Sequence, residues 1–213
     1  MSFSFTIPAV SLRNVRPFTS TEESRPILNG ILIESTGALC ATNGHVMLAV
    51  APGADGTTSA PARDVIIRLS KAVPKWSEFA EFADVPDAPA ANYADVPLVV
   101  RVSNGKGKVD YIPATEIAGP FPNWRAVMPR HVSATAPLPP VDPGLLDRFA
   151  LEGCRAVRFY AENMTRAIRA VFADRPGYVG VLMPKAGELA AETVPSLPSF
   201  TESPQAPSIP QAA

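Results

Sequence analysis

With 213 residues, a net charge of −1 and a pI near 6.1, the chain has room for one or two domains and is not uniformly basic. Its 46% hydrophobic and 18% charged residues describe a globular protein, and no apolar run approaches the roughly 20 residues that a membrane span requires. That charge balance disfavours a protein that grips phosphates over its whole surface, but it leaves room for a locally basic inner wall.

The opening segment Met1-Ser-Phe-Ser-Phe-Thr-Ile-Pro8 lacks the basic start and apolar centre of a secretory signal. The first predicted helix is Ala9-Val-Ser-Leu-Arg-Asn-Val-Arg16, with Val10, Leu12 and Val15 interleaved with Arg13, Asn14 and Arg16. Pro17 disturbs or ends it, because an interior proline loses a hydrogen bond and crowds the preceding turn. Strands over 27–34 and 39–50 follow, with Gly37 between them and Asn43-Gly44 as a further turn; another extended segment covers 64–69. Ser70 is a plausible N-cap for a second helix through Phe79, with Pro74 in its first turn. Strands over 98–103 and 108–117 come next, turning at Asn104-Gly105.

A third helix starts with Asp142 as N-cap and Pro143 at the first helical position, and buries Leu145, Leu146, Phe149 and Leu151. Strands over 156–161 and 167–172, with Glu162-Asn163 as their turn, precede a last extended segment over 178–183. A helix followed by antiparallel strands thus recurs three times, a sign of internal duplication. The 24 prolines are about twice the usual share. They mark 84–91 and 136–143 as loops, and they make 187–213 a Pro-rich tail without a periodic apolar face, which predicts disorder.

Catalytic chemistry finds no support in the residues. His45 and His131 have no partners at metal-ligand spacing, so no metal and no cofactor are expected. Cys40 and Cys154 sit in apolar stretches and read as ordinary thiols of a reducing cytosol. Asn104-Gly-Lys-Gly-Lys108 lacks the length and the hydroxyl of a phosphate-binding loop and suits a hairpin turn. No carboxylate pair is set out for acid–base work.

Three segments carry a resemblance. Arg25-Pro-Ile-Leu-Asn-Gly-Ile-Leu-Ile-Glu-Ser35 runs into Ala41-Thr-Asn-Gly-His-Val-Met-Leu-Ala-Val50, Gly119-Pro-Phe-Pro-Asn-Trp-Arg-Ala-Val-Met-Pro129 follows, and Tyr178-Val-Gly-Val-Leu-Met-Pro184 comes last. In order and separation they are similar to R-x-x-L-N-G-x-L-x-E with A-T-D-G-H-R-L-A-V, to G-x-F-P-D-Y-R-x-V-x-P and to Y-V-x-M-P. Those are segments of the bacterial replication sliding clamp family, the DNA polymerase III beta subunit. The resemblance implies an α+β DNA-clamp fold of repeated β-α-β-β-β units, with helices on one face and antiparallel sheets on the other. It makes 1–130 a domain like the clamp's middle domain, 131–186 half of its last domain, and the whole a truncated or diverged form.

It further implies a non-catalytic cytoplasmic processivity factor that tethers a DNA polymerase to double-stranded DNA without reading sequence. A clamp loader, further copies of the chain and other proteins with clamp-binding motifs would be partners. Arg13, Arg16, Lys71 and Lys75 on the helices, with Arg25, would meet phosphates; the plain alternative is a solvated helix face. Leu28, Thr42, Gly44, His45, Met47, Pro129, Val181, Met183 and Pro184 would wall a pocket for partner peptides, unless they are simply sandwich core. The chain carries one residue more than G-H-R-L-A between Gly44 and Ala49, so the register of Val46, Met47 and Leu48 is open by one. A rival role is a monomeric module that captures clamp-binding peptides as a decoy. Leu197 and Phe200 in the tail distantly resemble such a peptide.

Overall fold

The computed structural model describes residues 4–56, 59–83 and 98–185; the predicted loop at 84–91 and the tail at 187–213 lie outside the described residues. Among the described residues, eleven antiparallel strands form one sheet: β1 Ser4–Pro8, β2 Ile31–Ile33, β3 Leu39–Thr42, β4 Val46–Val50, β5 Val65–Leu69, β6 Phe79–Ala83, β7 Leu98–Ser103, β8 Val109–Glu116, β9 Val157–Tyr160, β10 Ile168–Phe172 and β11 Tyr178–Leu182. Their spatial order is β1-β6-β7-β8-β5-β2-β3-β4-β11-β10-β9. The last three strands therefore extend the sheet from β4, with Val181 opposite Met47 and Leu182 opposite Val46.

Strand alternation divides the apolar side chains between two layers. Ile31, Ile33, Leu39, Ala41, Val46, Leu48, Val65 and Ile67 enter the main core, under the helix α1 (Ala9–Val15). Leu32, Cys40, Met47, Ile66 and Val181 face the other way, into a smaller cluster covered by Ile117, Phe121, Trp124 and Met128. Both faces of the central strands are thus buried, which is why β4 reads as the unbroken apolar run Val-Met-Leu-Ala-Val. The open register is settled as well, with Met47 pointing away from α1.

Around Phe149 the core tightens into aromatic contacts. Its ring meets Phe18 at 5.3 Å and Phe159 at 5.4 Å, both edge-on, and stacks on Phe172 at 6.4 Å. Gly180 allows this approach, since a Cβ there would stand 2.6 Å from the Phe149 ring.

The helices depart from expectation. α1 forms as read, but Ser11 and Asn14 are buried while Val10 is only half-buried. The second predicted helix does not form. Val73 precedes Pro74 and is pushed away from helical angles, and the segment makes one turn in which the Ser77 amide donates to the Pro74 carbonyl at 3.1 Å. The third is a 3-10 helix, Pro143–Phe149, capped by Asp142 Oδ1 accepting from the Gly144 amide at 2.9 Å. Leu146 stays 37% exposed, outside the buried face assigned to it.

All three connecting segments nevertheless pack on the same side of the sheet: Leu12, Val73 and Phe149 belong to one core. The extended segment expected over 27–34 opens as a 3-10 turn, Pro26–Asn29, and that over 39–50 splits at Asn43-Gly44 into β3 and β4. β1 and β6, which pair with each other, were not expected from the sequence.

Candidate functional site

On the face opposite α1, segments far apart in sequence meet around one apolar groove. The first is the 3-10 turn Pro26–Asn29, where the Leu28 amide donates to the Arg25 carbonyl at 3.0 Å and the Leu28 carbonyl accepts from Ser20 at 2.8 Å. The second is the β3–β4 turn. Asn43 Oδ1 accepts from the amides of His45 and Val46, each at 2.9 Å, and Thr42 Oγ1 donates to the Val46 carbonyl at 2.7 Å. Gly44 has φ 91°, a left-handed angle that a Cβ would strain. The third is the end of β11, which reaches the same turn because the Met183 amide donates to the His45 carbonyl at 2.8 Å.

A strap over 117–128 closes the groove, and a buried carboxylate ties it down. Glu34, its side chain 8% exposed, accepts from Arg125 Nη1 at 2.6 Å, Arg125 Nη2 at 2.7 Å and Trp124 Nε1 at 3.0 Å. Arg125 also lies over the Trp124 ring, 4.1 Å from its centroid. The Arg125 hydrogen bonds hold the Glu34 carboxyl below its usual range. Beneath the strap, burial pushes the Cys40 thiol far above its usual range, so it is a packing group rather than a nucleophile. Cys40 and Cys154 are both free thiols.

Leu28, Thr42, Gly44, His45, Met47, Val181 and Met183 line this groove together, in a cavity of about 160 Å³. Pro129 does not; it lines a neighbouring cavity, and Pro184 lines neither. The strap turns at Trp124–Val127, so Pro122, Asn123, Trp124 and Val127 form the wall instead, with Val46 at the edge. Pro122 and Pro129 both belong to the second matched segment, and spacing could not choose between them.

The expected phosphate contacts are scattered. Arg13 is consumed by structure: its guanidinium meets both Glu152 oxygens at 2.6 and 3.0 Å and donates to the Pro74 and Ser77 carbonyls at 2.9 Å each. The same contact holds Glu152 below the usual carboxylate range. Lys71 pairs with Asp110 at 3.2 Å. Arg25 pairs loosely with Glu22 at 3.6 Å, and its Nη1 lies 3.2 Å from where a Cβ of Gly44 would stand, so it flanks the apolar groove rather than the α1 side. Arg16 and Lys75 remain beside α1, Arg16 half-buried and Lys75 exposed, and no ion pair engages either among the described residues.

Below α1 lies a buried network that the sequence did not announce. The Asp55 side chain, 1% exposed, accepts from Ser11 Oγ at 2.6 Å and also from the Arg175 guanidinium and the Tyr178 hydroxyl. Asn14 Oδ1 accepts from the Glu152 amide at 2.7 Å, and the Glu152 carbonyl accepts from Arg175 Nη2 at 2.8 Å. Burial raises the Tyr178 hydroxyl above its usual range. The network binds α1, the turn after β4 and the start of β11 into one body.

No helix among the described residues is long and apolar enough to cross a membrane. Among the described residues no three His, Cys, Asp or Glu side chains gather as a metal site.

No family model matches the sequence, and no curated protein matches it. Solved structures do. The DNA polymerase sliding clamp of Pseudomonas aeruginosa aligns with TM-score 0.56 and 16% identity over 86% of this chain and 67% of its own. The DNA polymerase III subunit beta of Borrelia burgdorferi, in complex with a natural product, aligns with TM-score 0.56 and 11% identity over 86% of this chain and 64% of its own. The Bacillus subtilis sliding clamp aligns with TM-score 0.55 and 14% identity over 87% of this chain and 64% of its own. The fold is that of the sliding clamp, and the chain spans about two thirds of the length of these clamps.

Proposed function

We propose that this chain is a diverged sliding clamp, a non-catalytic replication accessory protein that holds a DNA polymerase near double-stranded DNA in the cytoplasm. In this reading 1–130 form one clamp domain and 131–186 half of another, and a ring would need several copies. The observation that carries the proposal is the groove. Leu28, Met47, Trp124, Val127, Val181 and Met183 come from four separated segments and enclose an apolar cavity on the face opposite α1. A cavity of this kind suits one or two apolar side chains of an extended partner peptide, and the flexible Met47 and Met183 adapt to different ones.

Retention on DNA would draw on Arg16 and Lys75 through long-range, sequence-independent attraction. A primed-template assay tests this role: the protein should lengthen the products of a partner polymerase, and Met183→Glu should abolish the effect.

A second reading is favoured by the charges under α1. Arg13, Lys71 and Arg175 are each paired with a carboxylate. A monomer with few free cations there would capture clamp-binding peptides without staying on DNA. Light scattering separates the two, since a stable multimer large enough to enclose a duplex supports the clamp and a strict monomer that binds peptides supports the decoy.

A further inference from the structure

The apolar groove does not end at Val127 and Met183. Both also line a second cavity, of about 480 Å³, which continues along the strap to Arg130 and His131 and across to Arg166 on the β9–β10 connection. At its other end the groove shares Pro122, Asn123 and Trp124 with a third cavity, of about 650 Å³. The three cavities follow one another along the strap as one trough, with the apolar section in the middle.

The two ends of the trough differ in charge. Beyond Trp124 stand Glu34, Asp64 and Glu116 with Arg63 and Arg125. Both arginines there are committed, Arg63 to Glu116 and Arg125 to Glu34, each at 2.6 Å, which leaves a carboxylate in excess. Beyond Met183 stand Arg130 and Arg166, both exposed and, among the described residues, in no ion pair. Among the described residues, Glu162 is the single carboxylate lining that end. An incoming anion would therefore displace no existing partner there, whereas an incoming cation at the same place would face two guanidiniums.

We infer that the trough selects a linear peptide in which an apolar anchor is flanked on one side, over Arg130 and Arg166, by acidic side chains. This rests on the peptide-binding reading above and adds the chemistry and the direction of the partner. The apolar section supplies affinity by burial. The charged ends set which way the peptide lies, because the reversed peptide would bring its carboxylates to the end already rich in them. Concave walls focus the field of the free arginines, so they act more strongly than the same charges on an open surface.

Fluorescein-labelled peptides that share the anchor Leu-Ala-Phe test this. Asp-Asp precedes the anchor in one and follows it in another, and Asn-Asn and Lys-Lys versions of each serve as references. At about 50 mM salt, one of the two Asp peptides should bind roughly fivefold tighter than its Asn counterpart, and its Lys counterpart should bind weaker still. The advantage should fall below about twofold near 0.5 M salt, where the charges are screened, and equally in the Arg130→Ala, Arg166→Ala double variant. Arg155→Ala, outside the trough, should preserve it. Equal binding of Asp and Asn peptides in both orders, or an acid preference that survives in the double variant, would overturn the inference and leave the groove standing. Failure of every peptide to bind would overturn the groove itself and the inference with it.

Discussion

Removing the Glu34 carboxylate should loosen the strap, and the size of the effect follows from its partners. The side chain is 8% exposed and receives two bonds from Arg125, one from Trp124 and one from Thr36 at 3.1 Å. Hydrogen bonds to a charged group are worth about 1.5–3 kcal/mol when broken. Arg125, however, is 56% exposed and returns to water, so its share falls to the ~1 kcal/mol or less of a surface pair. The half-buried Trp124 N–H, left without an acceptor, adds roughly 1–2 kcal/mol.

Glu34→Ala should therefore lose about 2–3 kcal/mol, and Glu34→Gln, which keeps an acceptor for Trp124, about 1 kcal/mol. The folded-state pKa of Glu34 is lowered. Its contribution is thus full above the unfolded value near ~4.3 and is lost as pH falls through the lower folded value. Urea unfolding followed by tryptophan fluorescence should show wild type above Glu34→Gln at pH 7, with a narrower gap at pH 3, below the unfolded value of ~4.3. An unchanged midpoint for Glu34→Ala, or a gap that is the same at both pH values, refutes this account of the strap.

Asp55→Ala should cost more, about 3 kcal/mol in thermal or urea unfolding, because it leaves the half-buried Arg175 guanidinium and the buried Tyr178 hydroxyl without that acceptor. Gly180→Ala should destabilise by about 1–3 kcal/mol, since the new methyl would meet Phe149 at 2.6 Å and Ala170 at 3.0 Å; calorimetry reads the drop in Tm. The Arg16→Glu, Lys75→Glu double variant should unfold as wild type does and bind duplex DNA more weakly at low salt, with a shallower dependence of affinity on salt by anisotropy. Undiminished DNA binding would move the contact elsewhere.

The strands were legible where alternation and β-branching are strong: β7 lies where the sequence put it, and β5, β10 and β11 are each shifted by a single residue at one end. β1 and β6 were missed because Ser-Phe-Thr-Ile-Pro and Phe-Ala-Glu-Phe-Ala are short and gain their stability from each other and, in β6, from β7. The second helix was over-read: Lys71-Ala-Val-Pro-Lys-Trp-Ser-Glu carries helix-tolerant residues, but the constraint that proline places on Val73 prevailed over the N-cap signal at Ser70.

Most of the groove was legible from the three matched segments. The tie between Glu34 and Arg125 was not, although one residue lies in the first segment and the other in the second. A single acid and a single base 91 residues apart carry no periodicity that marks them as partners. The charges under α1 misled for a related reason. A count of Lys and Arg on one helix ignores carboxylates brought in by other elements, and Glu152 reaches Arg13 from 139 residues away.

A clamp-like role requires that the groove seat a peptide. Methyl NMR of protein labelled at methionine, leucine and valine reads this directly during titration with an anchor peptide. Resonances of Leu28, Met47, Val127, Val181 and Met183 should move together and saturate together, while those of Leu12 and Val15 in α1 stay put. Shifts confined to the α1 side, or none at saturating peptide, would contradict it.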